Sequence, residues 1–201
     1  VFILYPHGRV TEIQRKQMTT TQAKNVHALS VKTDFDGCQA LVKELFLDEN
    51  ILSNETQFIA ANSINWARCM TQSVYFFWTY LRLKEELNQL AFSIPSGNFG
   101  HAYAGWLAKE MGLPIDKIFV ATNSNDVLHK LFSENSYKKG QVNKTLAPSM
   151  DISVASNFER LLFNLYQNKS DLLNMTMSSF PENEISLSRE YRKRVEDLFL
   201  S

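Results

Sequence analysis

Cysteine is scarce in this chain. Its two cysteines, Cys38 and Cys69, among 201 residues are too few for a disulfide framework or a thiolate zinc site. A reducing compartment is the default reading, and a cytoplasmic location is expected. An excess charge of one sign is also missing: 21 Lys and Arg balance 21 Asp and Glu, for a formal net charge of zero. A protein built to hold a nucleic-acid backbone carries a basic surplus, so no nucleic-acid partner is expected. No apolar run reaches the roughly 18 residues needed to cross a bilayer, and no basic, apolar and small-residue secretion signal opens the chain. No membrane partner is therefore expected. The sequence shows no internal repeat. With nothing marking the chain as secreted, the Asn-x-Ser/Thr triplets at Asn54, Asn143, Asn168 and Asn174 read as accidental.

What is present is a globular composition. Hydrophobic residues make up 44% and charged residues 21%, which excludes disorder as the main state. The length suits one ordinary domain or parts of two, and it allows a real core without metal or disulfide staples. The chain opens at Val1 with a strand-like run, Val1-Phe2-Ile3-Leu4-Tyr5, and closes on Tyr191–Leu200, which reads as a helix still running. Free termini tend to fray, so a piece of a longer protein is expected, with a processed mature chain as the alternative.

Strand and helix signals alternate. After the first strand, halted by Pro6-His7-Gly8, helix formers run from Val10 to Thr20 with Thr11 as N-cap. Residues 25–31 alternate as a second strand. A helix from Asp34 to about Phe46 places Phe35, Cys38, Leu41, Val42, Leu45 and Phe46 on the 3.6-residue period. The Asp34 and Asp36 pair reads as a helix cap rather than as paired acid–base carboxylates. The segment Asn65–Leu87 is a long helix, expected to be mostly buried, with Trp66, Met70, Val74, Phe77 and Leu81 along one face and an aromatic cluster read as core. Leu90–Ile94 and Ile118–Thr122 are further strands. Helices are expected over residues 101–111, 126–132 and 157–166, and loops over 133–147 and 169–186. Strands separated by helices predict an α/β fold with largely parallel sheets flanked by helices.

One segment carries chemistry. Ser96-Gly97-Asn98-Phe99-Gly100 lies between an apolar strand and a helix, where α/β proteins bind anions. Backbone N–H groups at a helix start point outward, and the helix dipole adds partial positive charge. Two glycines let backbone approach a phosphate closely, and Ser96 and Asn98 add side-chain donors. With no Lys or Arg in the loop, a phosphate would be held by neutral donors. The loop is neither a P-loop nor a Gly-x-Gly-x-x-Gly fingerprint, and a plain tight turn before a helix also explains its glycines. Gly97-Asn98-Phe99-Gly100 matches the Gly-x-x-Gly of KH nucleic-acid modules, but the basic residues that help those loops are missing.

With flanking Ile94-Pro95 and Ala104-Gly105, this loop resembles the cofactor-phosphate loop of threonine synthases, pyridoxal 5'-phosphate enzymes of fold type II. Further blocks agree in order: Leu4-Tyr5-Pro6-x-Gly8, Asp34-Phe35-Asp36-x-Cys38-Gln39-Ala40-Leu41-Val42-Lys43 and Asn62-Ser63-Ile64-Asn65-Trp66-Ala67-Arg68, then Ala121-Thr122-Asn123-x-Asn125-Asp126, Ser149-Met150-Asp151-Ile152 and Ser156-Asn157-Phe158-Glu159-Arg160. The resemblance covers about residues 1–166. It implies that Ser96, Gly97, Asn98, Phe99 and Gly100 bind the cofactor phosphate. It also implies that the blocks at 34–43 and 123–126 are structural. The polar residues of 62–68 either face the active-site cleft or cap a helix through Asn62 or Ser63. The family has Asp after the second loop glycine where this chain has His101, read as a neutral, partly exposed imidazole.

The resemblance further implies the reaction, conversion of O-phospho-L-homoserine and water to L-threonine and phosphate. Family members carry the cofactor on a lysine in a Ser/Ala-Phe-Lys-Asp context, and no lysine here, from Lys16 to Lys193, lies in such a context. An upstream Ser-Gly-Asp-Thr-Gly loop is also missing, so the chain looks like the middle of the enzyme, inactive alone and with no catalytic residue of its own to name. The implied division is residues 1–60 as the later part of a small α/β domain, 61–166 as the phosphate-binding part of a large α/β domain, and 167–201 as a loop and helix that continue beyond it. A related fold type II phospholyase and a cofactor-free homologue are the competing readings. Oligomeric state is not legible.

Overall fold

Parallel pairing organises the chain into two small sheets. The computed structural model describes residues 1–52, 57–180 and 182–201; the triplet at Asn54 lies outside them. In the first sheet β1 (Phe2–Pro6) pairs with β2 (His27–Val31) in parallel, from Phe2 opposite His27 to Pro6 opposite Val31. A parallel pair needs a crossover, supplied by α1 (Glu12–Thr19). Thr11 caps α1 in a reciprocal box: Gln14 N–H donates to Thr11 Oγ1 at 3.2 Å, and Thr11 N–H donates to Gln14 Oε1 at 3.2 Å. Helix α2 (Phe35–Leu47) follows and packs against β1, with Asp34 Oδ1 accepting from Gly37 N–H at 2.8 Å.

The second sheet has the order β3 (Ala91–Pro95), β4 (Lys117–Ala121), β5 (Phe199–Leu200), all parallel. Around it lie α3 (Trp66–Leu83), α4 (Gly100–Glu110), α5 (Val127–Glu134), α6 (Phe158–Leu165), α7 (Ser170–Ser178) and α8 (Arg189–Glu196). Asn65 caps α3 by accepting from Ala67 N–H at 3.0 Å, while Asn62 Oδ1 accepts from Ile64 N–H at 3.0 Å in the turn before it. The cap is therefore Asn65 rather than Asn62 or Ser63. The main core gathers the inner faces of α4, α5 and α6 with Ile94, Ile118, Val120 and Phe199.

Three expectations are corrected. Helix α3 is not mostly buried: Val74, Tyr75, Trp78 and Leu81 are each about 60% exposed, and its buried residues are Cys69, Ser73 and Phe76. The small Cys69 and Ser73 let α4 approach closely, so that face packs and the bulkier one stays open. Residues 170–178, expected as loop, form α7, where Leu172, Leu173 and Met177 pack on the core at helical spacing between polar neighbours. The last helix stops at Glu196, and the apolar Leu198-Phe199-Leu200 turns instead to the free edge of β4, where Ile118 N–H donates to Leu198 O at 2.8 Å. Burying Phe199, 2% exposed, outweighs the small helix propensity of that segment. Among the described residues no helix is long and apolar enough to cross a membrane.

Candidate cofactor-binding site

The loop after β3 is built by opposing constraints at its two ends. Strand pairing continues one residue past β3, since Ser96 N–H donates to Ala121 O at 2.9 Å. Phe99 then takes a left-handed backbone, φ 62° and ψ 3°, as the residue before α4, and its carbonyl accepts the first helical bond from Tyr103 N–H at 2.8 Å. A left-handed backbone is uncommon for a bulky residue and is found where the surroundings fix it. Here they do: the Phe99 ring is wholly buried, 5.3 Å from the Phe199 ring and 5.8 Å from that of Phe132. Phe99 thus plugs the loop into the core and fixes the backbone around it.

Between these ends four donors stay free. The N–H groups of Gly97, Asn98, Phe99 and Gly100 meet no acceptor among the described residues. The direction of one, the Phe99 N–H, follows from Asn157, 1% exposed, which donates both its backbone N–H (3.1 Å) and its Nδ2 (3.0 Å) to the Asn98 carbonyl. In a trans peptide C=O and N–H point opposite ways, so this double grip turns the Phe99 N–H away from Asn157. The Asn157 amide is itself oriented, because Arg160 Nε donates to its Oδ1 at 2.8 Å, and Arg160 in turn donates to Ile64 O at 2.8 Å. Cys69 adds a thiol donor to Asn157 Oδ1 at 3.4 Å. Burial pushes the Cys69 thiol up, which keeps it protonated for that role.

Close approach explains both glycines. A Cβ on Gly100 would stand 3.2 Å from Ser63 Cβ and 3.3 Å from Asn157 Nδ2, crowding the side chain that grips the loop. One on Gly97 would stand 2.5 Å from Ile152 Cδ1 and 3.3 Å from Met150 Cα. Ile152 is 1% exposed, so it has little room to yield. It also lines a neighbouring open cavity of about 370 Å³, together with Ser124, Asp126, Lys130, Lys138 and Asn143; the loop residues do not line it.

The strip 151–157 that supports the loop is held on every side. Asp36 Oδ2 accepts from Ser153 N–H (2.9 Å) and Ser153 Oγ (2.8 Å), a tie across 117 residues. Its Oδ1 is buried with no partner, and burial pushes this carboxyl above its usual range. Of the sequence pair, Asp34 caps α2 as expected, whereas Asp36 reaches across to Ser153. Tyr137, 1% exposed, accepts from Ala155 N–H through its hydroxyl at 2.9 Å. Asp151 Oδ1 takes donors from Asn123 Nδ2 (2.9 Å), Asn125 Nδ2 (3.2 Å) and Thr145 Oγ1 (2.6 Å), and its Oδ2 takes Thr145 N–H (2.8 Å). These bonds join the segments at 123–126 and 149–152.

His101 lies on the first turn of α4, with Nδ1 3.1 Å from Gln72 Oε1 and its ring 4.9 Å from that of Phe76. Burial pushes its imidazole below the ordinary range, so it is neutral at pH 7, and its bond to α3 commits that nitrogen to Gln72. Ser96 is buried, and its hydroxyl has no partner among the described residues. The structure thus brings Ser96, Gly97, Asn98, Phe99 and Gly100 together as one corner. The residues that shape it, Asn157, Ile152, Ser156 and Arg160, fall in sequence blocks to which no role was assigned.

No protein-family model matches the chain. A threonine synthase of Pseudomonas aeruginosa is 51% identical over 166 residues, 83% of this chain and 35% of that protein. A solved pyridoxal-phosphate-bound threonine synthase of Brucella melitensis superposes with a TM-score of 0.83 at 40% identity, over 98% of this chain and 43% of that one. The chain is homologous to part of threonine synthase. The solved yeast threonine synthase agrees, with a TM-score of 0.82 at 38% identity over 100% of this chain and 42% of that one. The fold type II architecture expected from the resemblance therefore stands: parallel sheets flanked by helices, in a partial fold. This threonine synthase homologue spans about a third of the curated Pseudomonas relative.

Proposed function

We propose that the chain is the cofactor-phosphate-anchoring part of a cytoplasmic threonine synthase, which converts O-phospho-L-homoserine and water to L-threonine and phosphate. The observation that carries this reading is the set of four N–H groups on Gly97, Asn98, Phe99 and Gly100 that meet no acceptor among the described residues, at the carboxyl end of β3 and the start of α4. No acidic residue stands in this loop, and its donors are neutral, which suits a phosphate monoester such as that of pyridoxal 5'-phosphate. Ser96 Oγ and Asn98 Nδ2 are further donors for the same ester. When bound, pyridoxal phosphate supplies an electron sink for carbanion chemistry. This chain's contribution is to bind and orient: rigid amides hold the phosphate, and the buried Phe99 keeps them in place. On the same reading, residues 1–60 are the later part of a small domain, 61–166 the phosphate-binding part of a large one, and 167–201 its continuation. Both cysteines are free and buried, in keeping with a reducing compartment.

A chimera tests the function. The 166 matched residues of the Pseudomonas aeruginosa enzyme are replaced by those of this chain and the products from O-phospho-L-homoserine are analysed. Threonine is expected. Phosphate release without threonine would replace this reading with a phospholyase, and a chimera that folds but does not take up pyridoxal phosphate would favour a cofactor-free homologue. The 201-residue chain alone is expected to form no threonine, because none of its lysines lies in the family's cofactor-bearing context.

A further inference from the structure

Helix α2, far from the loop in sequence, reaches it through a directed run of hydrogen bonds. Gln39, 9% exposed, places Nε2 3.2 Å from Ser156 Oγ, and Ser156 Oγ lies 3.3 Å from Asn98 Oδ1. Asn157 Nδ2 stands at the edge of bonding distance from the same Ser156 oxygen, at 3.5 Å. A serine hydroxyl has one proton to give and two lone pairs to receive. With amide N–H groups of Gln39 and Asn157 both aimed at its oxygen, its single proton is left for Asn98 Oδ1. Asn98 must then present oxygen to Ser156 and turn its Nδ2 the other way. That nitrogen has no partner among the described residues.

We infer that Gln39 is a positioning residue for the phosphate site, acting through Ser156 to fix the Asn98 amide with its N–H₂ group toward the bound phosphate ester. The inference rests on the proposed role of the loop and extends it to a residue of the block assigned only a structural part. The wiring is reversible in sign. A group at position 39 that can only accept would draw the Ser156 proton to itself. Asn98 would then turn its nitrogen to Ser156 and present its carbonyl oxygen to the anion. A donor would become a repelling acceptor at a site with no cation in its loop.

The test uses the full 201-residue chain with three probes: pyridoxine 5'-phosphate, pyridoxine without the ester, and inorganic phosphate. Binding is measured by calorimetry for the wild type, Gln39→Glu and Gln39→Met. Gln39→Glu is nearly isosteric and reverses the relay, so the ester is expected to bind about ten- to a hundredfold more weakly. Gln39→Met keeps the volume but leaves the Ser156 proton undirected, and a loss of only a few-fold is expected. Affinity for pyridoxine is expected to stay level, whereas inorganic phosphate should follow the same order as the ester. In the wild type, the side-chain N–H₂ signals of Asn98 should move on adding the ester and not on adding pyridoxine. The Met variant and these signals keep the test decisive if the Glu variant fails to fold. Equal ester affinity in wild type, Glu and Met variants, or unmoved Asn98 N–H₂ signals while the loop amides respond, would overturn the relay and leave the phosphate loop intact. A wild type that binds ester and pyridoxine alike would overturn both.

Discussion

Replacing Phe99 by alanine is expected to lower stability by about 3–5 kcal/mol, the usual cost of emptying a buried aromatic site. The ring is fully enclosed and packs on Phe132 and Phe199. Equilibrium denaturation in urea reads this directly. A second consequence separates Phe99 from an ordinary core residue. Without its ring, nothing pays for the left-handed backbone at φ 62°, and the loop amides lose their fixed positions. Affinity for pyridoxine 5'-phosphate is therefore expected to fall well beyond what a general loss of stability gives. Phe132→Ala is the control. It empties the same aromatic cluster, in which Phe132 stacks on Phe199 at 5.3 Å, but it lies on α5 away from the loop backbone. Comparable destabilisation with ester affinity retained is expected. Equal loss of affinity in both variants would mean that Phe99 does no more than fill space.

The second large effect is expected at Asn157. Alanine there removes one of two donors to the Asn98 carbonyl, and it strips Arg160 Nε and the Cys69 thiol of their shared acceptor. The side chain is 1% exposed, so water cannot readily replace it. A loss of about 2–4 kcal/mol is expected, since a half-buried charged donor and a half-buried carbonyl are both left short of partners. Denaturation midpoints check the magnitude, and ester affinity should fall as the loop loosens. Asn157→Ala with wild-type stability would contradict the network described above, because it would show that Arg160 and Asn98 are satisfied by other means.

These two residues also show what the sequence discloses and what it hides. The alternation of apolar strands with amphipathic helices makes the α/β class readable, because period 2 and period 3.6 are local properties. Thr11 and Asp34 are readable as caps for the same reason, and each makes the expected bond. The loop 96–100 is readable because its location, between a short apolar strand and a helix, is local too. The partners that shape it are not. Asn157 precedes a helix and looks like a cap, yet it makes no capping bond and instead spends its side chain on Asn98, 59 residues away. Gln39 and Ser156 meet across 117 residues, a distance over which spacing carries no signal.

The misread elements share a cause. On α3 both faces are rich in large apolar residues, so periodicity finds two candidate stripes. Packing selects the one with Cys69 and Ser73, where α4 fits against small side chains. On α7 the helical spacing of Leu172, Leu173 and Met177 is masked by Ser, Asn and Thr. At the end of the chain, Phe199 is claimed by an open sheet edge that only the folded β4 provides. In each case tertiary contact decides what local preference leaves undetermined.

The amides of Gly97, Asn98, Phe99 and Gly100 offer the sharpest test of the whole picture. The ¹⁵N-labelled 201-residue chain is titrated with pyridoxine 5'-phosphate, and backbone amide signals are followed by NMR. All four signals are expected to move downfield together, saturating with one affinity, and to stay still when pyridoxine is added instead. Ester binding that shifts signals elsewhere and leaves these four unmoved would contradict the assignment of this loop as the phosphate anchor.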